Sequence, residues 1–100
     1  MITVRIEVCS WISASLGKPE LGRHLISKNI NSGIALSDLF KSLAEAFPEF
    51  NQQVYNPDEG HISEQIMVGI NHKIVQESEF IHTILNDNDE ISLSPILVGG

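Results

Sequence analysis

The chain has 100 residues, 42% of them hydrophobic, with 13 acidic against 6 basic side chains and a formal net charge of −7. That length builds one core, the hydrophobic content lies well above the disordered range, and the charge argues against nucleic acid, whose binding needs a basic footprint. The lone Cys9 cannot close an internal disulfide, and no apolar run approaches the roughly 18 residues of a membrane-spanning helix.

Ile2, Val4, Ile6 and Val8 alternate with Thr3, Arg5, Glu7 and Cys9. Period two predicts a half-buried strand. Its two charges also make Met1 to Cys9 unlike a signal peptide, so a cytoplasmic protein is expected. Ser10 to Gly22 has no sustained period and reads as a loop with at most one helical turn. His24 to Asn31 reads as a second strand pairing with the first as a hairpin. Lys28 falls in phase with Ile26 and Ile30 there, a conflict that a bulge would resolve. Asn31-Ser32-Gly33 is a turn signal.

Leu39, Phe40, Leu43, Ala44 and Phe47 trace one helical face. Ser37 is the expected N-cap, Asp38 favours the positive helix end, and Pro48 terminates the run. Phe50 to Gly60 reads as a long surface loop. Gln65 to Ile70, the pair Asn71-His72, and Lys73 to Val75 then suggest a tight hairpin. Phe80 to Leu85 reads as a short turn or a single helical turn and Asn86-Asp87-Asn88-Asp89 as a polar turn cluster. Ile91 and Leu93 alternate with Ser92 and Ser94 in a last strand that Pro95 stops.

One helix with a wide apolar face must cover one side of one sheet. The expected class is α+β: a mixed sheet of four to five strands, with the first and last strands side by side at its centre and one main helix on one face. Residues 1–95 would form this β-grasp domain and 96–100 an extended tail.

The opening Ile2-Thr3-Val4-Arg5-Ile6, the helix Ser37 to Phe47, Val68-Gly69-Ile70-Asn71, Asn88 to Pro95 and the terminal Gly99-Gly100 together resemble the MoaD/ThiS family of ubiquitin-like sulfur carriers. The likeness covers residues 2–100 and is nearer to MoaD, the small subunit of molybdopterin synthase. It departs in having Leu93-Ser94-Pro95-Ile96 where that ending carries aromatic residues and two prolines, and in a longer loop from Phe50 to Ser63.

The resemblance implies a non-catalytic carrier that binds no cofactor itself. A ubiquitin-activating-type adenylyltransferase, MoeB/ThiF-like, would use ATP and magnesium to adenylate the Gly100 carboxylate. A sulfur donor would convert it to a thiocarboxylate. An acceptor such as the large subunit of molybdopterin synthase would then take the sulfur. Leu97, Val98 and Gly99 would enter the partner beside Gly100, and the sheet face left uncovered by the helix would dock it. Other outlets implied by the family are thiamin, thiolated tRNA and sulfur metabolites, and conjugation to lysines as a protein modifier is the alternative.

The tail also makes sense physically. Glycines lack side chains, so the backbone can pass a narrow channel, and Pro95 to Gly100 extended reach roughly 20 Å. Glycine is about 7% of residues on average, so an accidental Gly-Gly at two named positions occurs in roughly 0.5% of chains.

Other candidates are weaker. His24, His61, His72 and His82 lack ligand spacing, and Cys9 has no second cysteine for a zinc set. Cys9 is expected to be an inert strand cysteine. Glu45, Glu49, Asp58 and Glu59 read as solvated, Trp11 as packed, and Gly17, Gly22 and Gly33 match no phosphate loop.

Overall fold

The computed structural model describes residues 1–96. Its elements are strand β1 (Ile2–Cys9), helix α1 (Ser10–Ser15), β2 (Arg23–Ile30), α2 (Leu36–Ala46), α3 (Pro48–Gln53), β3 (Tyr55–Asn56), β4 (His61–Ile62), β5 (Ile66–Ile70), β6 (Lys73–Ile74), a 3₁₀ turn at Glu77–Glu79 and β7 (Glu90–Pro95). The five-stranded sheet runs β2-β1-β7-β5-β6, and β3-β4 form a separate two-stranded ribbon. This is the mixed β-grasp sheet expected, with β1 and β7 adjacent and parallel at its centre.

The alternation in β1 puts Val4, Ile6 and Val8 into the core, each fully buried. Ile91 and Leu93 of β7 stand beside Ile6 and Val8 in register, and Val68 pairs with Leu93 from β5. Against this face α2 lays Leu36, Leu39, Phe40, Leu43 and Ala44, all buried. Phe40 is the hub. Its ring centroid lies 5.3 Å from Phe80, 5.4 Å from Tyr55 and 6.3 Å from Phe50, in the tilted and edge-on arrangements that aromatic quadrupoles favour.

Four expectations are corrected. The β1–β2 ladder is one-to-one over eight pairs, from Ile2↔Ile30 to Cys9↔Arg23, with no bulge. Lys28 stays half-buried in phase with Ile26 and Ile30. On an edge strand a lysine stem can cover apolar surface while its ammonium reaches water. Second, α2 begins at Leu36 with Ala35 as N-cap, ahead of Ser37. The Ala35 N–H donates to Asp38 Oδ2 at 2.9 Å. The Leu36 and Ser37 N–H groups donate to the Thr83 and Phe80 carbonyls at 2.8 and 3.2 Å. The chain at 80–84 thus satisfies donors that a capping side chain would otherwise meet. Third, the expected loop after Pro48 contains α3, in which Pro48 takes the first turn where its missing N–H costs nothing. The β3–β4 ribbon follows, and Phe50, Val54 and Tyr55 are buried. Fourth, the segment after β1 folds into α1, with Ile12 and Ser13 fully buried and Trp11 packed half-buried against the core.

The hairpin at Asn71-His72 is present, with φ of 50° and 71°, the left-handed pair that a type I′ turn demands. No helix among the described residues is long and apolar enough to cross a membrane.

Burial raises the pKa of Tyr55 above its ordinary 10.0, helped by the negative charges of Glu77 and Asp38. The folded state therefore holds the phenol proton more tightly than the unfolded chain. This contribution to stability is complete below the ordinary value and is lost as pH rises through the raised one. Tyr55 is the only tyrosine, so phenolate absorbance should titrate above pH 10.0 in the native protein and return to the ordinary value in denaturant.

Candidate functional site

The candidate site combines the end of β7 with the sheet face opposite the helices. β7 is held on one side by β1 through Arg5↔Glu90 to Val8↔Leu93 and on the other by β5 through Ile66↔Pro95 to Ile70↔Ile91. The last described residue remains tied to the sheet: the Ile96 N–H donates to the Gln65 carbonyl at 2.7 Å. The tail residues Leu97, Val98, Gly99 and Gly100 lie outside the described residues. The strand that leads to them is central and doubly paired.

Pairing and alternation define the open face. β1 turns Thr3, Arg5, Glu7 and Cys9 to it, β2 turns Arg23, Leu25, Ser27 and Asn29, and β7 turns Glu90, Ser92 and Ser94. Met67 and Gly69 of β5 and Ile74 of β6 complete it. Among these positions are two cations, Arg5 and Arg23, and two anions, Glu7 and Glu90. They compensate one another across strands. Arg5 lies 3.8 Å from Glu90, and Arg23 is hydrogen-bonded to Glu7. The open face is therefore close to neutral, and the acidic excess behind the net −7 lies on the helices and loops.

Two depressions mark this face. One of about 320 Å³ is lined by Glu7, Cys9, Arg23, His72, Ser92 and Ser94 among others. Its neighbour of about 120 Å³ lies between Met67, Gly69, Ile74, Ser92 and Ser94. The exposed apolar side chains of the face are Leu25, Met67 and Ile74. Of these, Glu7, Cys9, Gly69, His72, Ser92 and Ser94 were named in the sequence analysis, though not as part of one face, and Cys9 stands half-buried on the open face as its phase implied. The signal for the others was the polar half of each alternating strand, which shows which residues face out but not which strands lie side by side.

The turn of the β5–β6 hairpin is clasped to the start of β7. Asn71 Nδ2 donates to Asp89 Oδ1 at 2.9 Å, and the Glu90 N–H donates to Asn71 Oδ1 at 3.0 Å. Asp89 Oδ2 accepts the Asn86 N–H at 2.8 Å. Asp87 Oδ1 accepts the Thr3 N–H at 2.8 Å, so the polar turn cluster also fixes the start of β1.

The histidines stand apart. His24 Nε2 lies 2.8 Å from the Pro19 carbonyl, and His61 Nδ1 lies 2.9 Å from Glu77 Oε1. Among the described residues no group of three or more His, Cys, Asp or Glu side chains is placed to hold a metal ion. Glu45, Glu49, Asp58 and Glu59 are exposed, as expected.

Comparison with known proteins places this geometry. A sequence profile described as the ThiS family matches residues 24–100. No curated protein matches the chain. The small archaeal modifier protein 1 of Haloferax volcanii superposes with a TM-score of 0.74 at 15% identity, over 97% of this chain and 100% of that one. A putative molybdopterin converting factor, subunit 1, from Pyrococcus furiosus gives 0.71 at 15% identity, over 97% and 100%. A chain of the Amycolatopsis orientalis BexX/CysO complex gives 0.68 at 14% identity, over 97% and 99%. At these identities the likeness shows the fold.

Replacing Asp89→Ala leaves the Asn86 and Asn71 donors without their acceptor. It should cost about 1–3 kcal/mol, read as a lower urea midpoint with an unchanged slope.

Proposed function

Because this chain belongs to the ThiS family, whose sulfur carriers share its ubiquitin-like β-grasp fold, we propose that it carries sulfur as a thiocarboxylate on Gly100. The observation that carries this reading is the family match running to residue 100, over a fold whose central strand ends at Pro95, a short tail away from Gly99-Gly100. From the anchored Ile96, four residues extended span roughly 13 Å, enough to carry a side-chain-free end into a partner's active site.

The chemistry proceeds in three transfers. A carboxylate is a poor electrophile, so a MoeB/ThiF-like adenylyltransferase joins the Gly100 oxygen to the α-phosphorus of ATP and releases pyrophosphate. Magnesium and the enzyme's own groups stabilise the phosphate charge. Sulfide sulfur from a donor then attacks the acyl carbon, AMP leaves with the bonding electron pair, and a thiocarboxylate remains. Nucleophilic transfer of that sulfur to an acceptor regenerates the carboxylate after hydrolysis. The carrier supplies reach, a free end and the docking face, and performs no bond chemistry of its own.

The acceptor we favour is the large subunit of molybdopterin synthase, with the dithiolene of a molybdenum or tungsten cofactor as product. The ending from Asp89 to Gly100 supports this, as does the fold shared with a protein described as molybdopterin converting factor subunit 1. A protein modifier is the second reading, favoured by the fold shared with the small archaeal modifier protein. The near-neutral open face suits docking by apolar contact, and the acidic remainder steers the approach toward a basic partner.

The intact mass of the protein from its own cells decides between them. Exchange of one oxygen for sulfur at Gly100 is expected. Ladders of isopeptide conjugates without that exchange would favour the modifier. Deleting Gly100 should abolish the exchange while leaving the thermal midpoint unchanged. Val98→Asp should weaken binding to the adenylyltransferase at least about tenfold in calorimetric titration, since a charge would have to be desolvated in the channel.

A further inference from the structure

One edge of the sheet is long and unpaired. β2 runs for eight residues, Arg23–Ile30, and has a partner on one side only, β1. The other edge strand, β6, is two residues long. Along an antiparallel edge every second residue turns its N–H and C=O outward, which makes a template for one more strand. On the helix side of β2, away from the open face, the core is incompletely covered. A depression of about 370 Å³ opens there, floored by Ile6, Leu16 and Leu43 and walled by Ile26 and Phe47. The three floor residues are core, none more than 4% exposed, whereas Ile26 and Phe47 are only half-buried.

Charge selects the guest. The chain has 13 acidic residues, yet none from Leu21 to Ser37. β2 itself carries Arg23 and Lys28. Arg23 is engaged on the open face by Glu7. Lys28 stands half-buried on the helix side, two residues along the strand from Ile26 and so beside the groove. Lys18 lines the groove from the loop after α1, and no carboxylate does. Among the described residues neither lysine is in an ion pair. A lysine turned inward on an edge strand discourages pairing between copies of one chain. Here β2 against β2 would set cations against cations with no acid to meet them. The same lysine favours an acidic guest.

We propose that β2 takes an extended acidic segment of a partner protein as a further strand of the sheet. One aliphatic side chain of that segment sits in the groove against Ile26, and an acidic side chain two residues away meets Lys28 or Lys18. Main-chain hydrogen bonds along the edge supply affinity, and the alternate side chains supply specificity. Same-face side chains of a strand stand roughly 6.6 Å apart, so the Ile26–Lys28 spacing reads an aliphatic and an acidic residue at positions i and i+2. A segment bound here leaves the open face and the end of β7 uncovered. It is a second docking surface, independent of what Gly100 carries.

The probe is the fluorescein-labelled peptide Ser-Asp-Thr-Ile-Thr-Asp-Ser, whose Asp and Ile side chains share one face of an extended strand. Fluorescence anisotropy with the full chain should show saturable binding, weakened at least about tenfold by Lys28→Glu and by Lys18→Glu. Lys73→Glu makes the same change of net charge on the other edge strand and should leave binding unchanged. Thermal midpoints show whether each variant is folded; Lys18 is exposed, so its variant decides if Lys28→Glu unfolds. Exchanging both Asp of the peptide for Lys should abolish binding. N-methylation of one alternate set of peptide amides should abolish it too, while methylation of the other set spares it, since only one set faces β2. Amide shifts on binding should centre on β2, Lys18 and Phe47. Absence of binding, equal loss with Lys73→Glu, equal effects of the two methylated sets, or shifts confined to the open face would each overturn the proposal. Deleting residues 97–100 shifts the β2 amides of the peptide-free chain only if the chain's own tail fills the groove, which overturns it as well. Self-association in sedimentation that the peptide dissolves assigns the edge to a second copy and does the same. None of these outcomes bears on conversion of Gly100.

Discussion

The structure depends on the parallel pairing of its first and last strands. β1 and β7 lie side by side at the sheet centre, in register from Arg5↔Glu90 to Val8↔Leu93. Parallel neighbours cannot be joined by a tight turn, so the chain between them must leave the sheet and return. Helix α2 lies on that excursion, and its apolar face covers Val4, Ile6, Val8, Ile91 and Leu93, none more than 1% exposed. Burying these strands from one side commits the other side to solvent or to a partner. The same pairing anchors the strand that ends nearest the C-terminus. The tail proposed to carry the sulfur thus follows the part of the sheet with the most neighbours, where local opening costs most.

The stretch between the 3₁₀ turn and β7 holds the fold together with little regular structure of its own. Its Phe80 and Thr83 carbonyls satisfy the first amides of α2, and Ile84 bridges to Ala35. Phe80 and Leu85 fill the core beneath. Farther along, Asp87 and Asp89 reach Thr3, Asn86 and Asn71. Helix start, hairpin turn and both central strands are tied to this one short run. Backbone polar groups at these element ends would otherwise be orphaned, and the carboxylates supply acceptors where the geometry runs out of carbonyls.

Charge is distributed unevenly. The open face balances its charges in two cross-strand pairs, while the acidic excess lies on helices and loops. A neutral face with an apolar rim can be desolvated cheaply against a partner, and paired rim charges add orientation more than affinity. The remaining acidic surface acts at longer range and is screened by salt. On the proposed function, steering and seating would fall to different parts of one small domain.

Much was legible in the sequence because it was written in local period and turn chemistry. The alternation Ile2 to Cys9, the apolar stripe Leu39 to Phe47, the Asn71-His72 turn and the terminal glycines each follow from a few adjacent residues, and together they point to a β-grasp sulfur carrier. Other features were not local. Lys28 reads as a register error until β2 is seen to be an edge strand, where its charge can escape to water. Ser37 reads as the cap until the distant carbonyls of Phe80 and Thr83 are found at the helix start. Phe50 and Tyr55 sit among polar residues and read as loop, yet both pack on Phe40. Gly69 reads as a plain strand glycine, and only the side-by-side placement of Ser92 and Lys73 shows that a Cβ has no room there. By itself the sequence determined the periods, the turns and the resemblance to the family. The tertiary structure alone decided which strands are neighbours, because burial and cross-strand pairing are set by residues dozens of positions apart, and from that followed the near-neutral open face.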